Sequence, residues 1–113
     1  MEIYLIRHTT PVVEKGVCYG QADLELADTF EMEVSSLLPT LPKFDLVYSS
    51  PLQRCKRLAE RIDLQPLMDD KLMELNFGDW EMKKWEEIPA ELLDLWMKDY
   101  LRVAPPNGES GNE

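Results

Sequence analysis

The chain carries one histidine, His8, and an arginine, Arg7, stands directly before it. Unprotonated imidazole is a competent nucleophile near neutral pH. A guanidinium offers a rigid fork of donors that matches the oxygens of a phosphate. A second arginine, Arg54, follows Ser50-Pro51, where serine at a cap and proline at the first helical position signal the start of a helix. That places Arg54 in the first turns, beside N–H groups that also attract anions. Glu74 lies among Leu72, Met73, Leu75 and Phe77. Partial desolvation there would raise its carboxyl pKa toward what a general acid needs at neutral pH. A nucleophile, two anion clamps and an acid form a set suited to phosphoryl transfer, which depends mainly on spreading charge over the transferring oxygens.

Each residue also has a plainer reading. A lone histidine is more often structural or superficial than catalytic. Arg54 has Lys56, Arg57 and Arg61 for company, as an exposed helix arginine would, and Glu74 is one glutamate among many. Trp80, Trp85 and Trp96 read as core or rim packing. Glu86, Glu87 and Glu91 read as a solvated helix face.

The surrounding pattern supplies elements to position these groups. Ile3–Ile6 is a short apolar run that reads as a buried parallel strand ending at Arg7-His8. Residues 9–26 hold Pro11, Gly16 and Gly20 without a clear period and read as a loop. A helix is expected from Asp28, with Asp28 and Glu31 at capping-box spacing and Phe30, Val34, Leu37 and Leu41 on one face. Pro39 and Pro42 stop it near Leu38. Phe44–Tyr48 reads as a second buried strand. Next comes a helix from Leu52 to about Ile62, capped by Ser50, with Leu58 and Ile62 inward. Gln65–Met68 reads as a short strand that Pro66 confines to an edge or a strand start. Residues 69–81 read as a loop. Ala90–Leu101 reads as a last helix with Leu92, Leu93, Trp96 and Tyr100 on its apolar side, and residues 104–113 as a terminal loop. Strand, helix, strand, helix with short links implies an α/β sandwich with a parallel sheet. Ligands on such sheets bind beyond the carboxyl ends of the strands, where Arg7-His8 and Ser49-Ser50 stand.

Composition narrows the function classes. With 113 residues and 44% apolar content, the chain suits one small domain or a piece of a larger one. The net charge of −10, from 22 acidic against 12 basic residues, argues against nucleic acid or an anionic membrane as the main partner. A small anionic substrate stays open, because converging arginines outweigh net charge at short range. The apolar run at residues 1–6 is too short to span a bilayer and lacks the features of a signal peptide, so the chain reads as cytoplasmic. Cys18 and Cys55 read as two thiols rather than a bridge. With no CxxC pair and one histidine, the sequence does not suggest a metal site.

Five segments now stand out: LIRHTTP at 5–11, YGQADLEL at 19–26, VYSSPLQRCKRLAE at 47–60, LMELNFGDWE at 72–81 and PPNGES at 105–110. In this order they resemble the histidine phosphatase superfamily, also called phosphoglycerate mutase-like. The resemblance implies a three-layer α/β sandwich with a mostly parallel sheet. It implies His8 as the phosphorylated residue, Arg7 and Arg54 as phosphate-binding residues, and Glu74 as the acid that protonates the leaving oxygen. Gln21 and Ser50 would border the substrate. It implies a small phosphate ester as substrate and no cofactor or metal, since arginines neutralise the charge. RHT followed by VCYGQAD looks most like the alpha-ribazole phosphatases of cobalamin biosynthesis, which remove the 5′-phosphate from alpha-ribazole phosphate. The short distance from Glu74 to PPNGES resembles the small phosphatases more than the mutases. Thr9, where many members have glycine, fits the same branch. A broad-specificity phosphatase, a mutase-like enzyme and an inactive phosphate-binding or interaction module remain rival readings.

One departure is large. Members of the superfamily carry a second catalytic histidine on a later strand, beyond the PPNGES-like segment, and this sequence has only His8. The expectation is that residues 1–113 are the N-terminal portion of a single histidine phosphatase domain whose C-terminal part is missing. Apolar faces would then lie uncovered, and a homodimer or a strand-swapped pair would cover them.

Overall fold

Phe30, Val34 and Leu37 recur at helical spacing, and they fall within helix α1 (Phe30–Leu37), where Val34 is fully buried. Acidic residues Glu31 and Glu33 occupy its first turn, where they complement the helix dipole. The expected capping box at Asp28 and Glu31 does not form. The cap position is Thr29, and it makes no side-chain cap bond. Its hydroxyl donates instead to the Glu33 carboxylate at 2.6 Å, a short bond to a charged acceptor. A tight turn over Leu38–Thr40, with Pro39 inside it, ends the helix where the prolines predict.

The computed structural model describes residues 1–111, so the last two positions of the expected terminal loop lie outside the described residues. Two compact units divide the chain. One contains Met1–Val12 and Asp23–Leu72, and the other contains Val13–Ala22 and the chain from Met73 onward.

The first unit holds a β-α-β arrangement. Strand β1 (Tyr48–Ser49) runs parallel to β2 (Leu67–Met68), with Tyr48 opposite Leu67 and Ser49 opposite Met68. Helix α2 (Gln53–Ile62) connects them. The pairing is parallel, as expected, but β1 begins at Tyr48 rather than Phe44. Leu46 and Tyr48 face solvent while Val47 is half-buried and Ser49 buried, so the segment is covered on one face and is not the fully buried strand expected over 44–48. β2 starts directly after Pro66, in the place a proline allows.

Two expectations fail here. The run Ile3–Ile6 joins no ladder among the described residues. Leu5 is 95% exposed, and only the Tyr4 ring finds an aromatic neighbour, Phe44, edge-on at 5.3 Å. A buried parallel strand needs strands at both flanks and cover on both faces, and the described residues do not supply them. The start of α2 also differs. Its cap position is Leu52, not Ser50. Ser50 Oγ accepts the Leu52 N–H at 3.3 Å in a preceding turn, while the Gln53 N–H donates to the Asp23 carboxylate at 2.8 Å. An ionised acceptor from another part of the chain thus takes the capping role that serine was expected to fill. Leu58 points inward as predicted. Ile62 is half-buried and lines an opening of about 280 Å³ with Phe44, Val47 and Leu64 and the charged Lys43 and Asp63.

The second unit is built on aromatic packing. Cys18, Phe77, Trp80 and Ile88 form its buried core, with Leu75, Trp85, Leu93 and Trp96 packed against them. Trp96 stacks on Trp85 at 6.0 Å and meets Phe77 edge-on at 5.7 Å. The tryptophans are packing residues, as their sequence context suggests. Trp96 comes from helix α3 (Ala90–Lys98), which ends three residues before the expected Leu101; Leu92 and Tyr100 remain exposed. Glu86 and Glu87 are solvated, but on a short 3-10 turn (Trp85–Glu87) rather than a helix; Glu91 is solvated on α3. The PPNGES segment is docked rather than loose. Asp79 N–H donates to the Pro106 carbonyl at 2.8 Å, and Asn107 Nδ2 donates to both Asp79 oxygens at 3.0 Å. Gly78 has φ +58 and approaches so closely that a Cβ would strike the Pro106 carbonyl oxygen and the Gly108 nitrogen.

Candidate active site

In the first unit, the extended N-terminal run delivers Arg7 and His8 to one opening of about 520 Å³, which Thr9, Glu33, Ser36 and Thr40 also line. His8 is half-buried, and its Nδ1 lies 2.7 Å from the Thr9 carbonyl oxygen. A carbonyl can only accept, so Nδ1 carries the hydrogen of this bond. In the neutral ring Nε2 is then the unprotonated nitrogen, with its lone pair available to an electrophile. Arg7 is exposed. Thr9 is 7% exposed, and its hydroxyl meets no hydrogen-bond partner among the described residues.

Glu33 gives the opening a fixed negative group. The Thr29 hydroxyl, supported by the hydroxyl and N–H of Thr10, holds its carboxyl below the usual carboxylate range against the opposing effect of burial. Glu33 therefore stays ionised at neutral pH, with its oxygens already engaged by donors.

The β1–α2 connection carries the next group. Ser49 and Ser50 are buried, and Arg54, in the first turn of α2, is only 2% exposed. The exposed-helix reading of Arg54 is therefore wrong: its neighbours Lys56 and Arg57 face solvent while it points inward. The expected free N–H groups beside it need one correction, because Asp23 already takes the Gln53 N–H. Ser50 serves the turn that aims this segment.

The second unit carries the other two expected residues. Gln21 follows Gly20 in a half-buried loop, and its side-chain Nε2 donates to Glu109 of the PPNGES segment at 3.4 Å. Glu74 is exposed and accepts the N–H of Leu75 at 3.0 Å. The desolvation that the flanking apolar residues suggested is absent: Leu72 faces solvent, and Leu75 and Phe77 turn toward the aromatic core.

Sequence reasoning overlooked Glu33, Glu81 and Glu109 as structural carboxylates. Glu81 was the most findable of them. It follows a tryptophan in a glycine-containing tight segment, FGDWE, where an acid meets many backbone N–H groups and little water.

The first unit thus holds a histidine whose Nδ1 is tied to a carbonyl, an adjoining exposed arginine, and a buried second arginine at a strand-to-helix turn. Residues 3–113 match the sequence profile of the histidine phosphatase superfamily (branch 1), and the chain belongs to that family. It is 32% identical over 124 residues to a 2,3-bisphosphoglycerate-dependent phosphoglycerate mutase of Bartonella tribocorum, covering 96% of this chain and 60% of that protein. It is 30% identical over 131 residues to the adenosylcobalamin/alpha-ribazole phosphatase of Salmonella typhimurium, covering 96% and 59%. The crystal structure of TTHB049 from Thermus thermophilus superposes with a TM-score of 0.79 at 29% identity, covering 93% of this chain and 61% of that one. The phosphoglycerate mutase-like α/β fold is thereby established. The chain spans about 60% of the length of these relatives.

Proposed function

We propose that this chain is the histidine-bearing part of a phosphomonoester hydrolase that works through a phosphohistidine, with alpha-ribazole 5′-phosphate as substrate and the cytoplasm as its location. The observation that supports the reading is the His8 ring: Nδ1 is tied to the Thr9 carbonyl, which leaves the Nε2 lone pair free in the neutral ring, and Arg7 lines the same opening. In the first step Nε2 attacks phosphorus in line, and Arg7 and Arg54 spread the charge of the transferring oxygens. Glu74 gives its proton to the departing alcohol oxygen. In the second step Glu74 takes a proton from water, which attacks the phosphohistidine and releases inorganic phosphate. Gln21 and Ser50 border the substrate.

The substrate assignment leans on the Salmonella relative and on the RHT and VCYGQAD segments. The Bartonella relative favours a second reading, a mutase that passes the phosphoryl group back to a second hydroxyl instead of to water. Both readings are tested on the complete open reading frame. In the wild-type protein, 32P from a labelled ester is expected on histidine, and His8→Ala is expected to abolish it. Undiminished labelling or turnover in that variant ends the assignment. A panel of alpha-ribazole phosphate, simple phosphate esters and 3-phosphoglycerate separates hydrolase from mutase.

A further inference from the structure

Glu81 has no place in the chemistry above, yet four backbone N–H groups converge on its carboxylate. Gly20 N–H donates to Oε1 at 2.9 Å and Ala22 N–H to the same oxygen at 3.2 Å. Gln21 N–H donates to Oε2 at 3.2 Å and Phe77 N–H to that oxygen at 2.9 Å. Three of the donors belong to the loop that carries Gln21. The fourth lies three residues after Glu74. A carboxylate is the side chain suited to this arrangement, because it accepts on both oxygens and donates nothing.

Two independent features press the same segments together. A Cβ at Gly20 would collide with the Leu75 carbonyl oxygen and come within 2.8 Å of the Phe77 ring, so only glycine permits this approach. Met82, directly after Glu81, holds φ +66, which is costly for an unbranched, bulky residue, and its N–H donates to the Cys18 carbonyl at 2.7 Å. The residue that follows Glu81 is thus tied, in a costly backbone conformation, to the stretch that leads into Gly20.

We propose that Glu81 is a positioning residue for the active site: by gathering the N–H groups of residues 20–22 and 77, it fixes Gln21 and the segment bearing Glu74 in a single arrangement. The proposal rests on the phosphatase reading for the roles of Gln21 and Glu74. The clamp itself rests only on the geometry. A glutamine at position 81 keeps the size of the side chain but turns one accepting oxygen into an NH2 that faces two N–H donors. An aspartate keeps the charge on a shorter reach.

The test has two arms. In the 15N-labelled chain, Glu81→Gln is expected to speed hydrogen exchange at Gly20, Gln21, Ala22 and Phe77 by about tenfold or more, as loss of local protection does. Cys18, bonded to the Lys83 carbonyl, and Asp79, bonded to Pro106, are in the same unit and should keep their protection. In the complete polypeptide, Glu81→Gln is expected to raise KM for p-nitrophenyl phosphate and for alpha-ribazole phosphate about tenfold, with kcat changing less, and Glu81→Asp should recover part of the loss. Unchanged exchange at the four amides overturns the clamp. Loss of protection that extends to Cys18 and Asp79 also overturns it, since Glu81 would then merely hold the unit folded. Selective exchange with unaltered kinetics overturns its bearing on substrate. A wild-type protein inert toward every ester overturns the phosphatase reading, and the exchange arm then decides the clamp alone.

Discussion

Cys18 illustrates how one buried side chain reports on its surroundings. Burial, and to a lesser degree the Glu81 charge, pushes its thiol from 9.0 up to about 12. At pH 8 roughly one such thiol in ten thousand is the reactive thiolate. Iodoacetamide at pH 8 is therefore expected to label the partly exposed Cys55 and leave Cys18 almost untouched in the native chain; equal labelling rates would refute the buried placement. The same shift has a consequence for stability. Below about pH 9 both the folded and the unfolded thiol keep their protons, so nothing is lost. Between about 9 and about 12 only the unfolded chain releases the proton, so rising pH favours unfolding across that window. The denaturation midpoint should fall less steeply over this range in Cys18→Ala than in the parent chain. At this scale the segments around His8, Arg7 and Arg54 carried the family resemblance, because a motif is local in the sequence. The sequence was silent about Asp23, whose partner Gln53 lies 30 residues along the chain, and for Glu81 it showed the tight FGDWE setting but not the loop at residues 20–22.

Helix α2 shows the same contrast at the level of an element. Its existence, its length and the inward position of Leu58 follow from spacing alone, since periodicity is a local property. Its cap does not, because Asp23 reaches Gln53 from 30 residues away, both to the backbone N–H and, through its own carbonyl, to the side-chain amide. Asp23→Ala is expected to destabilise the first unit by about 1 kcal/mol, the usual cost of losing a cap. The Arg61–Glu31 contact between α2 and α1 is shorter, at 2.6 Å, but largely exposed and screened by water, so its removal should cost less than the loss of the Asp23 cap. Urea denaturation of the two single variants orders them, and a larger loss at Glu31 than at Asp23 would contradict this account. The Ile3–Ile6 run failed as a strand for a related reason: apolar composition marks a segment as needing cover but does not say which strand provides it.

Across the whole molecule, that uncovered run sets the expected behaviour in solution. Ile3, Leu5, Leu46, Tyr48 and Leu67 of the first unit all face solvent, a combination that favours association. The net charge of −10 opposes it through mutual repulsion. Light scattering is expected to show the chain associating at micromolar concentration, and more so as salt screens the charge; a well-folded monomer at every ionic strength would count against this. The second unit draws on two stretches of chain, Val13–Ala22 and the residues from Met73 onward, with most of the first unit encoded between them. Translation runs in one direction, so Val13–Ala22 leaves the ribosome long before Phe77, Trp80 and Glu81 exist to receive it. Gly20 and Gln21 must wait in an open state while the β-α-β unit forms around its own residues. Stalled synthesis near Leu72 would leave this early loop as the natural handle for a chaperone or a protease.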